Sequence, residues 1–545
     1  MARLIGRRAI AGLAVAAALI AGCSGPKSAT GDTTGGGSAG TGGSGTAGTV
    51  NVYLYQEPAG VFSPLAPSSG PDNQVMSFIF QGLLGVDPKY KLQPLLADSY
   101  EVSPDATTFT FHLRKGLKWS DGTPFTSKDV LFTYQLLANP KSGSATAGSF
   151  SGVAGVPDFV AGKTKTISGL SAPDPDTFVI KASAPDFGLL AQIGTVNIIP
   201  QHILGQDSVT QVAKDKFFRS PTVGIGPYSF VSYKTNQYVQ LKANPTYRSK
   251  VAIKNIYLKP LTSDVATAQL GNGGIDIASI SPTDLKTVQG LKDVGVQESP
   301  GAGFIRIGLN QSQSRFKDAR VRQAFAYAIN RKQIVQSVLA GKGLVQNSDF
   351  YQDNQPSGLN SYGYNPGKAK SLLKAAGWDS SKTVELEWIP GQRDRDSTAT
   401  IVQNELQAVG VKVKLKQVQA AQILPSYEKK SYDMVLFGGG NYAVDSWNVD
   451  VIVDCAQQYP AGGNIVFFCD PVLDKLMKKA NATTDETARK KLYDQAAIEE
   501  NKQASYLWLY DPMGLWAVNK RVKGFVAAGS QDAGFWNPGS WSIAG

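Results

Sequence analysis

Residues 109–134 read FTFHLRKGLKWSDGTPFTSKDVLFTY and contain signals for three consecutive elements. Apolar and polar side chains alternate at the start, from Phe109 to Leu113, which predicts a strand with one buried face. The Asp-Gly-Thr-Pro sequence that begins at Asp121 is typical of a turn. Thr126 and Asp129 form a capping-box pattern, and apolar residues then recur at helical spacing. The stretch therefore predicts a strand, a tight turn and a capped helix.

The rest of the chain alternates predicted strands with predicted helices, which is typical of mixed α/β architecture. A length of 545 residues favours more than one hydrophobic core. We expect a helix at 78–84, an exposed Gly-rich loop at 141–165 and a second lobe that begins near Gly303. The strand expected at 506–510 is predicted to return to the first lobe. Other strands are expected at 50–54, 177–181, 228–231, 238–242, 255–260, 304–309, 384–389, 411–415 and 432–437, and helices at 263–270, 318–329, 334–340, 365–376, 398–409 and 484–502.

The N-terminus has the composition of an export signal. Three arginines within the first eight residues precede an apolar segment, 9–20, that is too short to span a membrane comfortably. The sequence LIAGC at 19–23 resembles a bacterial lipobox, which implies that Cys23 is lipidated and becomes the first mature residue. A plain signal peptide with a chance cysteine is the alternative. Arg7-Arg8 leaves export by the Sec or the twin-arginine route open.

Residues 24–49 are almost entirely Gly, Ser, Thr and Ala, so they bury too little surface to fold and predict a flexible tether. The formal charge is +11, and loss of the three signal-peptide arginines would leave +8. The basic residues are dispersed, which is typical of a solvated surface. Because no basic and aromatic motif accompanies them, we expect no nucleic-acid partner.

Cys455 and Cys469 are the remaining cysteines, and we expect them to form a disulfide because an exported protein is in an oxidising compartment. The sequence contains no Cys-x-x-Cys, and its two histidines, His112 and His202, are poor metal ligands by position. No G-x-S-x-G or H-E-x-x-H motif occurs. We therefore expect no resident metal, no cofactor and no enzyme activity, with a secreted hydrolase as a remote alternative.

Five motifs in order carry a resemblance to a known family. They are LLADSY at 95–100, FHLRKGLKWSDGTPF at 111–125, GIGPY at 224–228, GIDI at 274–277 and DARVRQA at 318–324. They resemble the signature motifs of extracellular solute-binding protein family 5, the peptide/nickel-type receptors of ABC importers. The match extends over nearly the whole mature body.

The resemblance implies a two-lobed periplasmic-binding-protein-like α/β fold, a Venus flytrap of type II or cluster C, with an extra subdomain in lobe I. The implied domains are a lipoprotein signal peptide at 1–22, lipidated Cys23 and tether at 23–49, a discontinuous lobe I at 50–79, 166–300 and 505–545, its extra subdomain at 80–165, and lobe II at 301–504.

The function implied is a monomeric, lipid-anchored receptor on the extracytoplasmic face of the cell membrane. It would capture oligopeptides or dipeptides between its lobes by hinge closure and deliver them to the permease subunits of an ABC importer. Membrane contact would be through the lipid alone. A non-peptide ligand, such as a nickel chelate, haem, a sugar or an opine, is the alternative in the same fold.

The resemblance also indicates which residues contact ligand. In peptide-binding relatives an acidic residue of lobe II takes the peptide's amino group, but Tyr442 occupies that position here and Gly439 replaces the usual Trp. Either Asp445 takes over the amine, or the ligand is not held by a free N-terminus. The predicted ligand residues are Ser68, Ser69, Gly70, Trp388, Arg393, Gly439, Gly440, Asn441, Tyr442, Asp445 and Trp447. A core position for Trp388, and a solvated charge cluster for Arg393, are the structural alternatives.

Overall fold

The computed structural model describes residues 48–65, 70–89, 91–144, 146–299, 303–348, 355–390, 392–439, 452–460, 462–528 and 535–544. The predicted signal peptide and almost all of the predicted tether lie outside these residues. None of the helices within the described residues is long and apolar enough to cross a membrane.

The described elements are strands and helices in alternation. The strands are β1 Thr49–Leu54, β2 Leu84–Val86, β3 Leu92–Pro94, β4 Ala97–Val102, β5 Thr108–Leu113, β6 Leu170–Asp174, β7 Thr177–Lys181, β8 Tyr228–Lys234, β9 Tyr238–Ala243, β10 Asn255–Pro260, β11 Ile277–Ser279, β12 Val294–Ser299, β13 Phe304–Leu309, β14 Gly343–Val345, β15 Thr383–Trp388, β16 Lys412–Gln417, β17 Met434–Gly439, β18 Tyr506–Pro512, β19 Gly514–Asn519, β20 Val522–Lys523 and β21 Ser542–Ile543. The α-helices are α1 Gly70–Ile79, α2 Ser127–Leu137, α3 Val156–Val160, α4 Gly188–Gly194, α5 Gln201–Leu204, α6 Val209–Val212, α7 Ser263–Asn272, α8 Leu285–Gln289, α9 Ser314–Lys317, α10 Ala319–Ala328, α11 Arg331–Val338, α12 Pro366–Ala375, α13 Arg393–Ala408, α14 Ala420–Glu428, α15 Pro471–Asn481 and α16 Glu486–Gln503.

Lobe I is built on a seven-stranded sheet with the order β12-β19-β11-β1-β10-β9-β8. Side chains alternate across it, so Val50 and Val52 of β1 enter one hydrophobic cluster, whereas Tyr53 enters the cluster on the opposite face. Both faces of this sheet are therefore covered, as the apolar strand sequences require.

A separate four-stranded sheet, β4-β5-β7-β6, contains the stretch that opens the sequence. The capping box is confirmed, because the Thr126 side chain accepts from the backbone of the first turn of α2 and Asp129 accepts from the backbone of Thr126. Phe109 and Phe111 share one hydrophobic cluster with Val52 of the seven-stranded sheet. The small sheet is therefore packed as part of lobe I.

Two expectations about this region need correction. The small sheet extends beyond the implied subdomain at 80–165, because Thr177–Lys181 pairs with β5. The expected exposed loop at 141–165 contains short helical turns, and Phe150 and Val153 are fully buried. These isolated apolar residues anchor the segment to the core despite its many small residues.

The predicted helix at 78–84 is also wrong, because α1 ends at Ile79. The next backbone groups bond to other segments: Ile198 N–H donates to the carbonyl of Gln81 at 3.0 Å, and Leu95 N–H donates to that of Leu83 at 3.0 Å. An unbroken apolar run does not distinguish a buried helix from buried irregular chain.

Lobe II is built on a six-stranded sheet with the order β14-β18-β13-β17-β15-β16. Strand β15 lies between β16 and β17 and runs parallel to both. Strand β13 runs antiparallel to β17 and to β18. One face packs on helices α10 to α13, and the other on α14 to α16. The helices predicted to begin at Asp318 and Asn365 are capped by these two side chains, which accept the backbone N–H groups of Arg320 and Lys368.

The chain returns to lobe I later than predicted. Strand β18 pairs with β13 and β14 and so belongs to lobe II, whereas β19 pairs with β11 and β12 of lobe I. The expected return of 506–510 to the first lobe is thus wrong, and the crossing lies at Met513. Two adjacent apolar strands look alike in sequence, and only their pairing distinguishes the two sheets.

Candidate ligand-binding cleft

Two adjacent crossovers join the lobes among the described elements, and we call them the hinge; residues 300–302 of the first crossover lie outside the described residues. One links β12 to β13 and the other links β18 to β19. Gly303 N–H donates to Oδ1 of Asp511 at 3.1 Å, which ties the first crossover to the second. Lys342 Nζ of lobe II also lies 2.7 Å from Oε1 of Glu298 in lobe I. The hinge is therefore cross-linked by polar contacts as well as by the chain.

Asp511 is a buried carboxyl group at this hinge. The residue is 1% exposed, and its Oδ2 has no hydrogen-bond partner among the described residues. Burial raises the pKa of Asp511 to about 7, although the hydrogen bond from Gly303 acts in the opposite direction. The charge on the hinge therefore changes close to neutral pH.

The parallel strands β15 and β17 end at the same edge of lobe II, at the predicted ligand residues Trp388 and Gly439. A Cβ on Gly439 would lie 2.7 Å from Cζ of Phe304, so the Phe304 ring already fills the space beside this glycine. A Cβ on Gly438 would lie 2.7 Å from Nη2 of Arg395 and 2.9 Å from the carbonyl oxygen of Phe304. Both positions therefore contribute backbone to this edge, while the aromatic group comes from the neighbouring strand.

Trp388 and Arg393 flank the same edge and have different surroundings. Trp388 is 4% exposed, belongs to the hydrophobic cluster of lobe II and donates from Nε1 to Oδ1 of Asp396 at 2.7 Å. This is the core position named as the alternative for Trp388. Arg393, at the start of α13, is exposed, and its Nη2 lies 3.4 Å from Oδ1 of Asp264 at the start of α7 in lobe I.

The Arg393–Asp264 ion pair spans the two lobes away from the hinge. Both side chains are largely exposed, at 68% and 76%, so the pair is weak and replaceable. Asp264 was not among the predicted site residues. An acidic residue in the first turn of a predicted helix is too common a pattern to identify a position that faces the other lobe.

On the lobe I side, Gly70 begins α1, and Ser68 and Ser69 lie outside the described residues. The first turn of α1 is fixed by Asp72, which is fully buried and accepts the N–H groups of Ala59 and Gly60, each at 3.1 Å. The predicted ligand residues Gly440, Asn441, Tyr442, Asp445 and Trp447, together with Cys23, also lie outside the described residues.

The predicted disulfide is present between Cys455 and Cys469. Cys455 N–H donates to Oδ1 of Asp474 in α15 at 3.3 Å, so the bridged loop is attached to the start of that helix. The described residues contain no group of three or more His, Cys, Asp or Glu side chains placed to bind a metal ion.

Two α/β lobes joined at a double crossover define a two-lobed binding-protein fold. The family described as bacterial extracellular solute-binding proteins, family 5 (middle region), matches residues 91–459. The chain belongs to this family, and the family inferred from the five motifs is confirmed.

Individual relatives match over most of the chain. A putative ABC transporter peptide-binding protein of Brucella melitensis is 30% identical over an alignment of 506 positions, gaps included, that covers 89% of this chain and 91% of that protein. The oligopeptide-binding protein AppA of Bacillus subtilis is 25% identical over an alignment of 564 positions, gaps included, that covers 98% of this chain and 97% of that protein.

Solved structures show the same fold. AppA of Bacillus subtilis in complex with a nonapeptide has a TM-score of 0.78 at 24% identity, over 91% of this chain and 99% of that chain. NikZ of Campylobacter jejuni in complex with Ni(L-His) has a TM-score of 0.77 at 25% identity, with the same coverage of both chains.

Proposed function

We propose that this chain is the extracytoplasmic receptor of an ABC importer and that it binds oligopeptides or dipeptides between its lobes. The observation that carries the proposal is the two-lobed family 5 fold, with lobes that meet at a hinge and at an exposed, replaceable ion pair across the cleft. The match to a peptide-binding relative over 89% of the chain supports peptides as the ligand class.

Binding works by a shift between open and closed arrangements. A ligand that contacts both lobes stabilises the closed arrangement by its differential affinity for the two states. The permease subunits then receive the closed receptor, and no bond of the ligand is made or broken. The protein acts as a monomer in this scheme.

The lobe II edge holds the ligand's polar groups. Gly439 ends β17 beside the Phe304 ring, and the predicted ligand residues Gly440, Asn441, Tyr442, Asp445 and Trp447 come after it in the chain. In this proposal Asp445 takes the amino group of a peptide. The small residues at the end of β17 let the ligand approach the backbone closely.

Arg393 provides a positive charge for the ligand, opposite in sign to that of Asp445. Its guanidinium pairs with a carboxylate of the ligand. When no ligand is bound, Arg393 pairs with Asp264 instead. Because the Arg393–Asp264 pair is exposed on both sides, its loss costs little and a ligand acid can replace it.

The receptor is held at the membrane by lipid on Cys23, and the Gly/Ser-rich segment that follows gives the folded body reach. A Cys23→Ser variant should be released from the membrane fraction and should lack the mass of the lipid. Equal membrane retention of both proteins would contradict the anchor.

A non-peptide ligand is the second candidate, favoured by the similarity to the structure of NikZ with Ni(L-His). Native mass spectrometry of the receptor purified from its own membrane separates the two. A series of co-purified peptide masses supports the main proposal. A single non-peptide mass would contradict it while leaving the receptor class intact.

A further inference from the structure

The lobes also meet at a place remote from the hinge, where the small sheet faces α15 and α16. Phe187 N–H donates to the carbonyl of Asn481 at 2.7 Å, and the Thr484 hydroxyl donates to the carbonyl of Pro104 at 3.3 Å. The guanidinium carbon of Arg489 lies 3.8 Å from the centre of the Phe187 ring. We call these five residues the clasp.

Arg489 is held in position from its own lobe. It is 4% exposed, and its Nη1 donates to the carbonyls of Thr483 at 3.0 Å and Thr484 at 2.9 Å. The planar guanidinium is thereby fixed in the turn between α15 and α16 and lies over the ring of Phe187. A buried, oriented guanidinium favours such stacking more than an exposed one does.

The other half of the clasp is equally fixed to lobe I. Phe187 packs against the hydrophobic cluster that joins the small sheet to the seven-stranded sheet. The N–H of the preceding Asp186 donates to the carbonyl of Ala106 at 3.1 Å, next to Pro104. The ring and the β4–β5 turn therefore move with lobe I.

The contacts of the clasp can separate without loss of the hydrophobic core of either lobe. Among the described residues, the clusters that form the core of lobe I share no member with those of lobe II. The contacts described at the clasp include two hydrogen bonds and one cation–ring stack, and the apolar clusters of the two lobes are separate. Separation of the lobes there would expose Arg489 and Phe187 to water without disrupting either core.

We propose that the clasp is a closure latch, which stabilises the closed arrangement through contacts between the two lobes rather than through ligand. This rests on the hinge motion of the proposed function. The latch sets how often the unliganded receptor closes, and so how much of the closing free energy a ligand must supply. Arg489 is a positioning residue in this scheme and touches no ligand.

Hydrogen–deuterium exchange of the ligand-free, full-length protein tests the latch. The amide of Phe187 is protected only while it donates across to Asn481, so its exchange reports the fraction of clasped molecules. Arg489→Met should accelerate exchange in the peptide that contains Phe187 by about tenfold, the effect expected for loss of a desolvated cation–ring contact. The matched control is Lys490→Met, which removes a charge from the next residue of α16, where Lys490 pairs with Asp494.

A second variant guards against damage to the α15–α16 turn. Phe187→Leu removes the ring from the lobe I side, keeps an apolar side chain in the lobe I core and leaves Arg489 and its carbonyl partners unchanged. It should also accelerate exchange at residue 187 while α15 and α16 exchange as in the parent. Unchanged exchange at residue 187 in both variants, or equal acceleration in Lys490→Met, would overturn the latch.

The latch and the proposed function can fail separately. A receptor that co-purifies with peptides but shows unchanged exchange at residue 187 in both variants keeps its function and loses the latch. A receptor that carries no small solute but shows the predicted acceleration keeps the latch and loses the function.

Discussion

The hinge and the clasp are two places where the lobes contact each other, and they are constructed differently. The hinge consists of two chain crossovers, tied by a hydrogen bond from Gly303 to the buried carboxyl of Asp511. The clasp consists of a cation–ring contact of buried Arg489 and two hydrogen bonds between segments of the two lobes. A joint that persists on one side and a contact that can part on the other are what a closing receptor requires.

The difference also concerns charge. Removing water from a carboxyl raises its pKa, whereas a guanidinium stays charged and is stabilised by carbonyls and by the ring. The hinge is therefore sensitive to pH near neutrality. The predictions below test this contrast and the proposed ligand site.

The largest effect on stability is expected from removal of the Cys455–Cys469 disulfide, whose loop is attached to α15, the helix that ends at the clasp. Replacing Cys455 and Cys469 together with Ser should lower the free energy of unfolding by about 3 kcal/mol, because a loop of this length then gains conformational entropy in the unfolded chain. Urea unfolding of the oxidised parent and of the double variant measures the difference. A reducing agent should destabilise the parent but not the variant, and equal unfolding midpoints would contradict the prediction.

The hinge carboxyl should give a pH-dependent effect of roughly 2 kcal/mol between pH 5 and pH 7. Its folded pKa of about 7 lies above the ordinary value of 3.8, so the folded chain keeps a proton that the unfolded chain releases. The free energy of unfolding therefore falls as pH rises through this window. Asp511→Asn should remove this part of the fall, as measured by urea unfolding at several pH values.

Two comparisons make this test specific. Asp158→Asn, at an exposed residue of lobe I, should leave the pH dependence as it is in the parent. Glu500 is a second buried carboxyl whose pKa burial raises to about 7, so part of the fall should remain in Asp511→Asn. A parent and an Asp511→Asn variant with parallel pH curves would show that the hinge carboxyl does not titrate in this range.

Removing the predicted contact between Asp445 and a peptide's amino group should have a smaller effect. Asp445→Ala should weaken binding of peptides with a free amino group by about 1.5 kcal/mol, the lower value for a hydrogen bond to a charged group. Calorimetry with one peptide in free and N-acetylated forms measures this. The acetylated peptide should bind both proteins alike, and unchanged affinity for the free form would exclude Asp445 as the anchor.

The smallest effect is expected at the exposed ion pair. Asp264→Ala should change the free energy of unfolding by less than about 1 kcal/mol. The same variant should bind peptides with a free carboxyl terminus slightly more tightly than the parent, because Arg393 no longer has a competing partner. Amidated peptides are the control, and an equal change for both peptide forms would contradict the role of Arg393.

The local elements followed from sequence wherever the signal was local. The cap at Thr126, the alternation at Phe109 to Leu113 and the helix start at Asn365 depend on near neighbours, and the structure has all three. The five family motifs similarly identified the two-lobed fold. Each of these signals lies within a few residues of the feature that it predicts.

Features that depend on contacts between residues far apart in the chain could not be predicted from the sequence. Nothing in the sequence of β18 shows that it pairs with β13 rather than with the strands of lobe I. The Phe304 ring beside Gly439, the Asp264 side chain opposite Arg393 and the clasp all join residues far apart in the chain. The predicted ligand residues at 440–447 remain predictions, because they lie outside the described residues.

The central claim is that the lobes close over a ligand. Single-molecule energy transfer measures this most directly, with dyes on Lys163→Cys in lobe I and Lys491→Cys in lobe II of the full-length protein. The account predicts that the co-purified ligand pool, returned to stripped receptor, converts a broad low-transfer population into a narrow high-transfer one. Identical transfer histograms with and without a ligand that calorimetry shows to be bound would contradict it.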